Sequence, residues 1–599
     1  MLSPDIFTYV TTEESKFQTD QLRLGDNWTW NFRDHVQLIF HLKNGVFYTG
    51  ENNWMRAFKN IMRPLINLAK WTEDIEVKDV AFFIENKMGR VLSFLVKKYH
   101  DEVYVREHNL DTLFDRLAES DITYGGVLVK KTDTPLPEVI KLKEIAFCDQ
   151  TDILGGPIAF KHYFSPDKLK KMSEYGWGDK KNGATISLDE LCVIAEPEKT
   201  VSALGDEKMK TPGKHIEVYI VYGNLPEHYL KDNHDMEYYC NQVQIIAYYH
   251  DKDSQRQGVT LYRKEEKDDI FKFLTSEEVE GRALGYGEGE AMLHPQIWTN
   301  FLTIHKTALL EAASKIPLYT DDPTYTQRNK IQDMDNLEVT TIEEGKRIYQ
   351  VPTAAVANIG LHERSINEWY EHAQLTGSAF DPIQGKEAVS GTTFRGQERL
   401  VAQGRGLHDR RRGQRAKFIE ELYRDWIIPS MVREIVKGKE FLATLTTDEI
   451  TWVADQLAEN YASRQQFDEV VRGQIVSDKE QLKQTFKAAF SKTGNKQLIK
   501  ILKDEFKGVE IKMGINVAGK QKDLAGISDK ILSIIQFVFS NPQGFQQTMQ
   551  IPGMAKAFQD ILEYGGLNGV DFAAVATMPP PAPPTASPMA SPMRVAQPA

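Results

Sequence analysis

The chain has 599 residues, of which 41% are hydrophobic and 26% charged, and its formal net charge is −12. This length predicts several sub-domains, and the composition is typical of a globular protein that can bury a core. The acidic balance excludes a surface devoted mainly to gripping nucleic acid, since phosphate binding uses Lys and Arg, but it suits a protein past which nucleic acid slides.

The cysteines and the apolar stretches indicate a compartment. Cys148, Cys192 and Cys240 are widely spaced and contain no C-x-x-C pair, so we expect reduced thiols and no disulfide framework. The first residues lack a basic region followed by an apolar run, and the apolar stretch at 531–539 is too short to span a bilayer. We therefore expect a cytosolic or virion protein.

The amino-terminal part mixes helix and strand patterns. Residues 54–71 predict a basic amphipathic helix that Pro64 kinks or ends, and residues 122–130 predict a strand. Ser165 and Pro166 predict a helix start, with Ser165 as the N-cap. Residues 215–222, 237–250 and 259–274 are rich in Tyr, Ile, Val and Phe, and they predict strands of a mostly antiparallel α+β unit.

A glycine-rich segment follows at 281–289. A dinucleotide loop needs G-x-G-x-x-G between a strand and a helix, whereas Gly285, Gly287 and Gly289 are spaced G-x-G-x-G beside two glutamates that would repel phosphate. We favour a hinge over a nucleotide loop.

Two helices are predicted next, with a proline-containing segment between them. The first, which ends before Pro317, has an apolar face at spacings of three and four: Leu293, Ile297, Phe301, Ile304 and Ala308. Trp298 and Leu302 lie off that face, so this helix needs several neighbours, which can be copies of itself. Residues 317–352 predict short β pieces. The second helix, 359–374, places Ile366, Trp369 and Ala373 on one side.

The rest of the chain is predicted to be mainly helical. Residues 377–393 form a flexible stretch, and residues 394–436 form a long helix that Gly404, Gly406, Gly413 and Pro429 bend. Residues 446–506 are helical and polar, 509–517 alternate as one strand, and 523–564 are helical. The Pro- and Ala-rich end, 578–599, cannot bury enough surface to order itself.

Basic residues concentrate between Arg395 and Arg424, where nine cations face four acids. One interpretation is a surface that contacts phosphate. We favour another, in which the arginines pair with carboxylates of a neighbouring subunit, because the planar guanidinium suits such ion pairs. The candidates are Arg395, Arg399, Arg405, Arg410, Arg411, Arg412 and Arg415.

Motifs for catalysis and metal binding are missing from the sequence. No Gly-Lys pair is followed by Ser or Thr as a P-loop requires, and no H-E-x-x-H, zinc-type Cys/His cluster or G-x-S-x-G elbow occurs. We expect a protein that is not an enzyme and that uses no cofactor and no metal.

The order of segments from Gly285 to Val436 resembles the portal, or head–tail connector, family of tailed bacteriophages, and the resemblance extends over roughly residues 50–570. That order is helix, short β-rich excursion, helix, flexible loop and long kinked helix. Local phrases also look like this family: IPLYTDD after the first helix, QLTGSAFDPIQG after the second, and RRRGQRAKFIEELYRDWIIPSM in the long helix. Upstream, FKNIMRPLINLAK, DITYGGVLVKK and YFSPDKLKKM are similar to its amino-terminal wing.

The resemblance implies a predominantly helical α+β fold around an axial channel. Its parts would be an amino-terminal wing (1–285), a first stem helix (286–315), a clip (316–355), a second stem helix (356–376) and a channel loop (377–393). A long kinked wing helix (394–440), the wing remainder (441–517), a helical crown (518–577) and a disordered tail (578–599) would follow.

The resemblance also implies site residues. The loop that touches DNA would present Ser378, Phe380, Asp381, Gln384, Lys386 and Glu387. The clip, an acidic docking face for the packaging motor, would present Asp321, Asp322, Arg328, Lys330, Asp333, Asp335, Glu343 and Glu344.

The implied assembly is a ring of twelve subunits at one capsid vertex, built in the host cytoplasm. Its partners would be the terminase large subunit, head–tail adaptor proteins, major capsid and scaffolding proteins, and double-stranded DNA passing without sequence specificity. Two alternatives stay open. One is another structural or adaptor protein of the head–tail junction, and the other is a nucleic-acid enzyme that uses the basic run.

Overall fold

A computed structural model of the chain describes residues 5–45, 58–77, 80–84, 89–194, 215–230, 238–250, 256–314, 318–321, 345–350, 357–377, 406–437, 447–473, 476–493 and 511–515. The chain divides into two compact units, Met1–Val517 and Ala518–Ala599. All described residues belong to the first unit, which mixes helix and sheet. The predictions for 518–577 and 578–599 therefore lie outside the described residues.

The amino-terminal half alternates helices with short strands: α1 (Ile6–Thr19), β1 (Leu22–Arg23), β2 (Thr29–Trp30), α2 (Phe32–Lys43), α3 (Met62–Thr72), β3 (Val80–Ile84), α4 (Gly89–Tyr99), a π-helical turn (His100–Tyr104), α5 (Val105–His108), α6 (Leu110–Tyr124), β4 (Val127–Lys130), β5 (Glu138–Ile140), β6 (Ile145–Phe147), β7 (Ile158–Phe164), α7 (Pro166–Lys171) and α8 (Leu188–Ile194). Pro166 occupies the first turn of α7, as predicted, although the Ser165 side chain makes no capping hydrogen bond.

The remaining strands and helices are β8 (Ile216–Pro226), β9 (Tyr239–His250), β10 (Arg256–Glu265), β11 (Phe271–Leu274), α9 (Glu288–Ala291), α10 (Leu293–Ser314), β12 (Leu318–Thr320), β13 (Ile348–Gln350), α11 (Ala357–Thr376), α12 (Gly406–Leu422), a π-helical turn (Tyr423–Ile427), α13 (Ile428–Lys437), α14 (Thr447–Val471), α15 (Lys479–Thr493) and β14 (Ile511–Ile515). The wide turn at Tyr423–Ile427 lies directly before Pro429, which has no amide hydrogen for the regular helical bond.

The sheets are antiparallel, as the strand patterns predict. The largest has the order β10-β9-β8-β7-β6, and a second has the order β11-β4-β5. The late strand β14 pairs with β3, so residues about 430 positions apart in the sequence share one ladder, beginning with Ile511 opposite Ile84. The predicted strand at 509–517 is thus confirmed at Ile511–Ile515.

Among the described residues, three hydrophobic clusters form the interior, and buried side chains of α6 belong to two of them. Its first turns, with Leu113 and Leu117, pack with α4, α12, α13 and α14. Its last turns, with Ala118 and Ile122, pack with α2, α3 and the base of α10. The third cluster lies between α1, α2 and the five-stranded sheet. The α6 helix therefore packs both against α4 and α12–α14 and against the region from which α10 starts.

Two predicted boundaries in the amino-terminal part are wrong. The helix predicted at 54–71 begins only at Met62, so Pro64 lies in its first turn, where a missing amide hydrogen costs nothing. The strand predicted at 122–130 is shorter, because residues up to Tyr124 still belong to α6. Gly125 ends that helix with φ +77°, and the strand begins at Val127.

The glycine-rich segment is packed tightly and is not the hinge that the sequence predicts. The amide of Gly285 donates to the Gly125 carbonyl at 3.1 Å. A Cβ atom on Gly287 would lie 2.8 Å from the Tyr124 carbonyl carbon, and one on Gly289 would collide with the Thr123 carbonyl oxygen. The glycines are required because two backbone segments touch here without side chains between them.

The replacement Gly287→Ala should lower stability by about 1–3 kcal/mol, because the added methyl group overpacks this contact. Gly413→Ala is the matched control, since a Cβ atom there meets nothing within 4 Å. In the helix it should raise stability by about 0.5–1 kcal/mol. Thermal unfolding followed by circular dichroism measures both changes. An unfolding temperature for Gly287→Ala equal to that of the native chain would contradict the close approach.

Candidate functional site

The α10 and α11 helices form an antiparallel hairpin. The Trp298 and Trp369 rings stack with centroids 6.2 Å apart, and the His305 and His362 rings stack at 6.5 Å. Lys306 forms an ion pair with Glu363 along the same seam. The strands β12 and β13 continue the hairpin beyond the helices as an antiparallel pair.

The α10 helix buries its polar side within the chain. The Gln296 carbonyl oxygen accepts hydrogen bonds from the amides of Ile61, at 2.9 Å, and Met62, at 3.0 Å, so it caps the start of α3. Its amide nitrogen donates to the Lys59 carbonyl and to Asn300 Oδ1, each at 2.9 Å. These directed bonds fix the rotation of α10 about its own axis.

Part of the apolar face that the sequence predicts on α10 consequently points away from the body. Ile297 and Phe301 of that face are 42% and 49% exposed, and the neighbouring Trp298, which lies off it, is 45% exposed. Leu293, at the base of the helix, is half-buried against a core cluster. Leu310 of α10 and Leu361 and Leu375 of α11 are exposed as well. The predicted apolar positions are therefore right, but Ile297 and Phe301 face outward. Ile366 and Ala373, which the sequence places on one side of α11 with Trp369, are buried.

The base of the hairpin rests on a buried group of charges, which we call the ion cluster: Glu73, Asp121, Glu277, Glu288, His408, Arg411 and Arg415. These residues come from the end of α3, from α6, from the segment after β11, from α9 and from α12. Five segments of the chain therefore meet at one set of ion pairs.

Arg415 is at the centre of the ion cluster. Its Nη2 atom lies 2.8 Å from Glu73 Oε2 and 2.8 Å from Asp121 Oδ2, and its Nε atom lies 3.0 Å from Asp121 Oδ2. Ser276 donates its hydroxyl to Asp121 at 2.7 Å. The guanidinium and both carboxylates are almost completely buried, so none of the three charges is stabilised by water.

Arg411 connects α12 to the hairpin. It pairs with Glu288, the first residue of α9, and its Nε atom donates to Glu277 Oε1 at 3.1 Å. A second buried ion pair joins Arg282 to Glu290 two residues later, and His35 lies 3.4 Å from Glu290. The short α9 helix therefore forms one ion pair through Glu288 and another through Glu290, immediately before α10 begins.

Burial and charge shift the pKa values of the two central glutamates in opposite directions. Burial tends to raise the pKa of Glu73, but the hydrogen bond from His408 and the charges of Arg415 and Arg411 outweigh it and hold that pKa below its usual value. Burial also raises the pKa of Glu288, and repulsion from Glu73 adds to it. Arg411 opposes this shift without cancelling it.

The structure corrects the prediction for the basic run. Arg411, Arg412 and Arg415 are buried inside their own chain, so they face neither DNA nor a neighbouring subunit. Arg410 is exposed on α12. Burial of Arg411 and Arg415 is possible because carboxylates of the same chain pair with them. Arg395, Arg399 and Arg405 lie outside the described residues.

The other predicted site residues are mostly beyond the described parts of the chain. Asp321 is exposed just after β12. The remaining clip residues Asp322, Arg328, Lys330, Asp333, Asp335, Glu343 and Glu344 are not described, and neither are the loop residues Ser378, Phe380, Asp381, Gln384, Lys386 and Glu387. Their roles remain predictions.

Glu73, Asp121 and Glu288 are not among the site residues that the sequence predicts. A signal existed for Asp121, because it follows Leu110, Leu113 and Leu117 at helical spacing and so shares their buried side. The same spacing places Arg412 and Arg415 on the side of Ile419 and Leu422. A charged residue at the same helical spacing as an apolar face is therefore predicted to be buried in an ion pair. No such pattern marks Glu73 or Glu288.

The described residues also form a pocket whose lining is mainly acidic. This pocket, of about 490 Å³, is lined by Asp74, Glu76, Asp101, Asp111 and Asp115 together with apolar side chains. No group of three or more His, Cys, Asp or Glu side chains in the described ranges is arranged to hold a metal ion. No described helix is both long enough and apolar enough to cross a membrane.

Comparison with solved structures yields matches that include two chains of gene transfer agent particles. One is a chain of the virion of a native gene transfer agent particle, with 10% identity and a TM-score of 0.30, covering 78% of this chain and 99% of that one. The other is from the neck of that particle, with C12 symmetry, 10% identity and a TM-score of 0.30, covering 75% and 95%. Likeness at this TM-score does not establish a shared fold or function.

No protein-family model matches the chain, and no curated protein matches it.

The replacement Arg415→Leu should destabilise the protein by about 3–5 kcal/mol, because it leaves Glu73 and Asp121 buried without a counter-charge. Arg410→Leu on the exposed side of the same helix should change stability by less than about 0.5 kcal/mol. Urea unfolding of both variants measures the difference. A loss below about 1 kcal/mol for Arg415→Leu would show that α12 does not depend on the ion cluster.

The opposite pKa shifts predict how Glu288→Gln changes the pH dependence of stability. A raised folded-state pKa means that ionising Glu288 costs more free energy in the folded protein than in the unfolded chain, and that this cost fades as the pH falls towards the unfolded value near 4.5. Between pH 7 and pH 5 the native chain should therefore gain stability relative to Glu288→Gln.

The comparison requires urea unfolding of both proteins at several pH values. Loss of stability below about pH 4.5 should persist in both, because the lowered pKa of Glu73 causes it. If the native chain instead loses stability relative to the variant from pH 7 to pH 5, the environment assigned to Glu288 is wrong.

Proposed function

We propose that the chain is a subunit of a phage portal, a ring at one capsid vertex through which double-stranded DNA enters and leaves. The observation that carries the proposal is the outward apolar stripe of the α10–α11 hairpin. Ile297, Trp298 and Phe301 are about half exposed, while the polar side of the same helix is bonded inside the chain. Such a stripe needs an apolar cover.

Copies of the same chain are the cover that fits best. The polar bonds of Gln296 hold the stripe outward, so it cannot turn into its own core. A helix pair whose outer side is apolar can be buried by identical pairs standing next to it, and a head-to-tail contact that closes produces a ring. A ring of antiparallel hairpins encloses an axial opening.

The hairpin also has the helix, strand, strand, helix order on which the sequence resemblance depends. In that resemblance α10 and α11 are the stem, and the segment that includes β12 and β13 is the clip, which docks the terminase motor and later the tail adaptors. The ring number of twelve, the contacts with capsid and scaffolding proteins, and the DNA-facing loop at 377–393 come from the resemblance alone.

The remaining site chemistry fits a structural role. The strongest cluster of charges is buried and ion-paired, and it therefore positions helices and is not accessible to a substrate. We therefore keep the expectation that the protein is not an enzyme and needs no cofactor. The second candidate is another structural or adaptor protein of the head–tail junction, whose apolar hairpin would be covered by a different chain.

The replacement Phe301→Glu should convert the ring to monomers, because it places a charge in the apolar contact between copies. The monomer should stay folded, since the side chain is about half exposed in the single chain. Sedimentation velocity measures the mass, and circular dichroism measures the fold.

Val193→Glu is the matched control, because Val193 is exposed on α8, away from the hairpin. It should keep the mass of the native assembly. A native chain that stays monomeric at all concentrations would contradict the ring, and so would a Phe301→Glu variant with an unchanged assembled mass.

A further inference from the structure

The hairpin of α14 and α15 has an apolar end that faces outward. Phe467, Val470 and Val471 lie at helical spacings of three and four, so they share one side of the last turns of α14. They are 68%, 60% and 68% exposed, and Val476, in the turn that leads to α15, is 49% exposed. We call these four residues the apolar tip.

Hydrogen bonds fix the shape of the turn that carries the apolar tip. The Glu469 carboxylate accepts from the backbone amide of Ser477 at 2.7 Å and from its hydroxyl at 2.9 Å. The side-chain amide of Gln466 donates to the Ser477 carbonyl at 2.9 Å. The turn is therefore bonded back onto α14, and a defined helical hairpin presents the apolar side chains.

The other end of this hairpin is packed into the body. Val453, Ala454 and Leu457 of α14 and Phe486 of α15 belong to the hydrophobic cluster that includes α4, α6, α12 and α13. Phe467 lies ten residues after Leu457, which is about 15 Å further along the helix. The apolar tip therefore lies beyond the part of the hairpin that the single chain covers.

The size of the apolar tip indicates what kind of partner can cover it. The exposed parts of its one Phe and three Val side chains amount to roughly 400 Å² of apolar surface, which is large for a patch left in water. This area is about half of the roughly 800 Å² that each partner buries in a stable interface between two chains. The tip alone is therefore too small to hold a separate protein, but it can strengthen a contact with a chain that is already held nearby.

The charge around the apolar tip is close to balanced. Between Arg464 and Glu480 the sequence has three cations and four carboxylates. An anionic membrane surface favours a helix with many Lys and Arg residues beside its apolar side, and nucleic acid requires a similar excess of cations. The tip therefore fits the apolar surface of a protein better than it fits either of these.

We infer that a second copy of this chain covers the apolar tip, in addition to the contact that the α10–α11 hairpin makes. The inference rests on the proposed function, in which copies are already held next to one another through the outward stripe. Within such an assembly the second contact forms at a high effective concentration, so a patch of this size is large enough.

The test replaces Phe467 of the full-length protein with the photoreactive residue benzoylphenylalanine. Chains with two different affinity tags are produced in the same cells, so that mixed assemblies form. After irradiation and denaturation, purification on one tag should recover chains that carry the other, because only a covalent bond between copies survives. The matched control carries the same photoreactive residue in place of Tyr175, an aromatic side chain in the turn after α7 that is 62% exposed. It should give several-fold less of the doubly tagged product.

Crosslinks that join position 467 only to its own chain or to a host protein would overturn the inference. Equal amounts of doubly tagged product from positions 467 and 175 would overturn it as well.

Phe467→Glu is a second variant that tests the same contact without crosslinking. It should stay folded by circular dichroism, since the side chain is largely exposed in the single chain. The concentration at which the assembly dissociates should rise at least about tenfold, because a charge enters an apolar contact. Val193→Glu should leave that concentration unchanged. A Phe467→Glu variant that dissociates at the same concentration as the native protein would contradict the inference.

Sedimentation velocity of the native chain separates this inference from the proposed function. If the native chain assembles but position 467 gives no crosslink between copies, this inference fails and the ring stands. If the native chain stays monomeric at all concentrations, the ring is contradicted and this inference fails with it.

Discussion

The fold depends on the ion pairs that Arg411 and Arg415 make inside the body. Removing these charges from water is costly, and only carboxylates brought from α3, α6 and α9 offset that cost. The five segments that form the ion cluster must therefore all be in place for these charges to be paired. A buried ion cluster of this kind specifies one arrangement of helices more strictly than apolar packing does, because an unpaired charge is far less tolerated than a shifted methyl group.

The ion cluster and the outward stripe are connected through α9. Glu288 and Glu290 each form an ion pair with an arginine, and α10 starts three residues after Glu290, so its direction follows from those two pairs. Gln296 then fixes its rotation by capping α3. Buried polar contacts thus decide which side of the hairpin faces outward, and the apolar residues are left for a partner. The hydrogen bonds and ion pairs within the single chain therefore determine which apolar surface is available for assembly.

Much of the local structure could be predicted from the sequence, whereas the ion cluster could not. Periodicity correctly predicts α10, α11 and the long strands, because each pattern is local. It does not reveal whether an apolar stripe such as Ile297 and Phe301 faces inward.

The partners of the ion cluster are far apart in the chain: Glu288 and Arg411 are separated by 123 residues, and Glu73 and Arg415 by 342. A run of arginines in the sequence can therefore be interpreted as a phosphate-binding surface, because the carboxylates that pair with the arginines are identified only in the structure. The glycines at 285–289 looked flexible for a similar reason, since their contact with Gly125 is not local.

The most direct test of the account is an electron micrograph of the purified full-length protein, averaged down its symmetry axis. The account predicts a closed ring with a central opening, in which adjacent α10–α11 hairpins stand side by side with Trp298 and Phe301 covered. Averages that show only solitary globular particles, or an assembly in which the hairpins point away from one another with the stripe exposed, would contradict it.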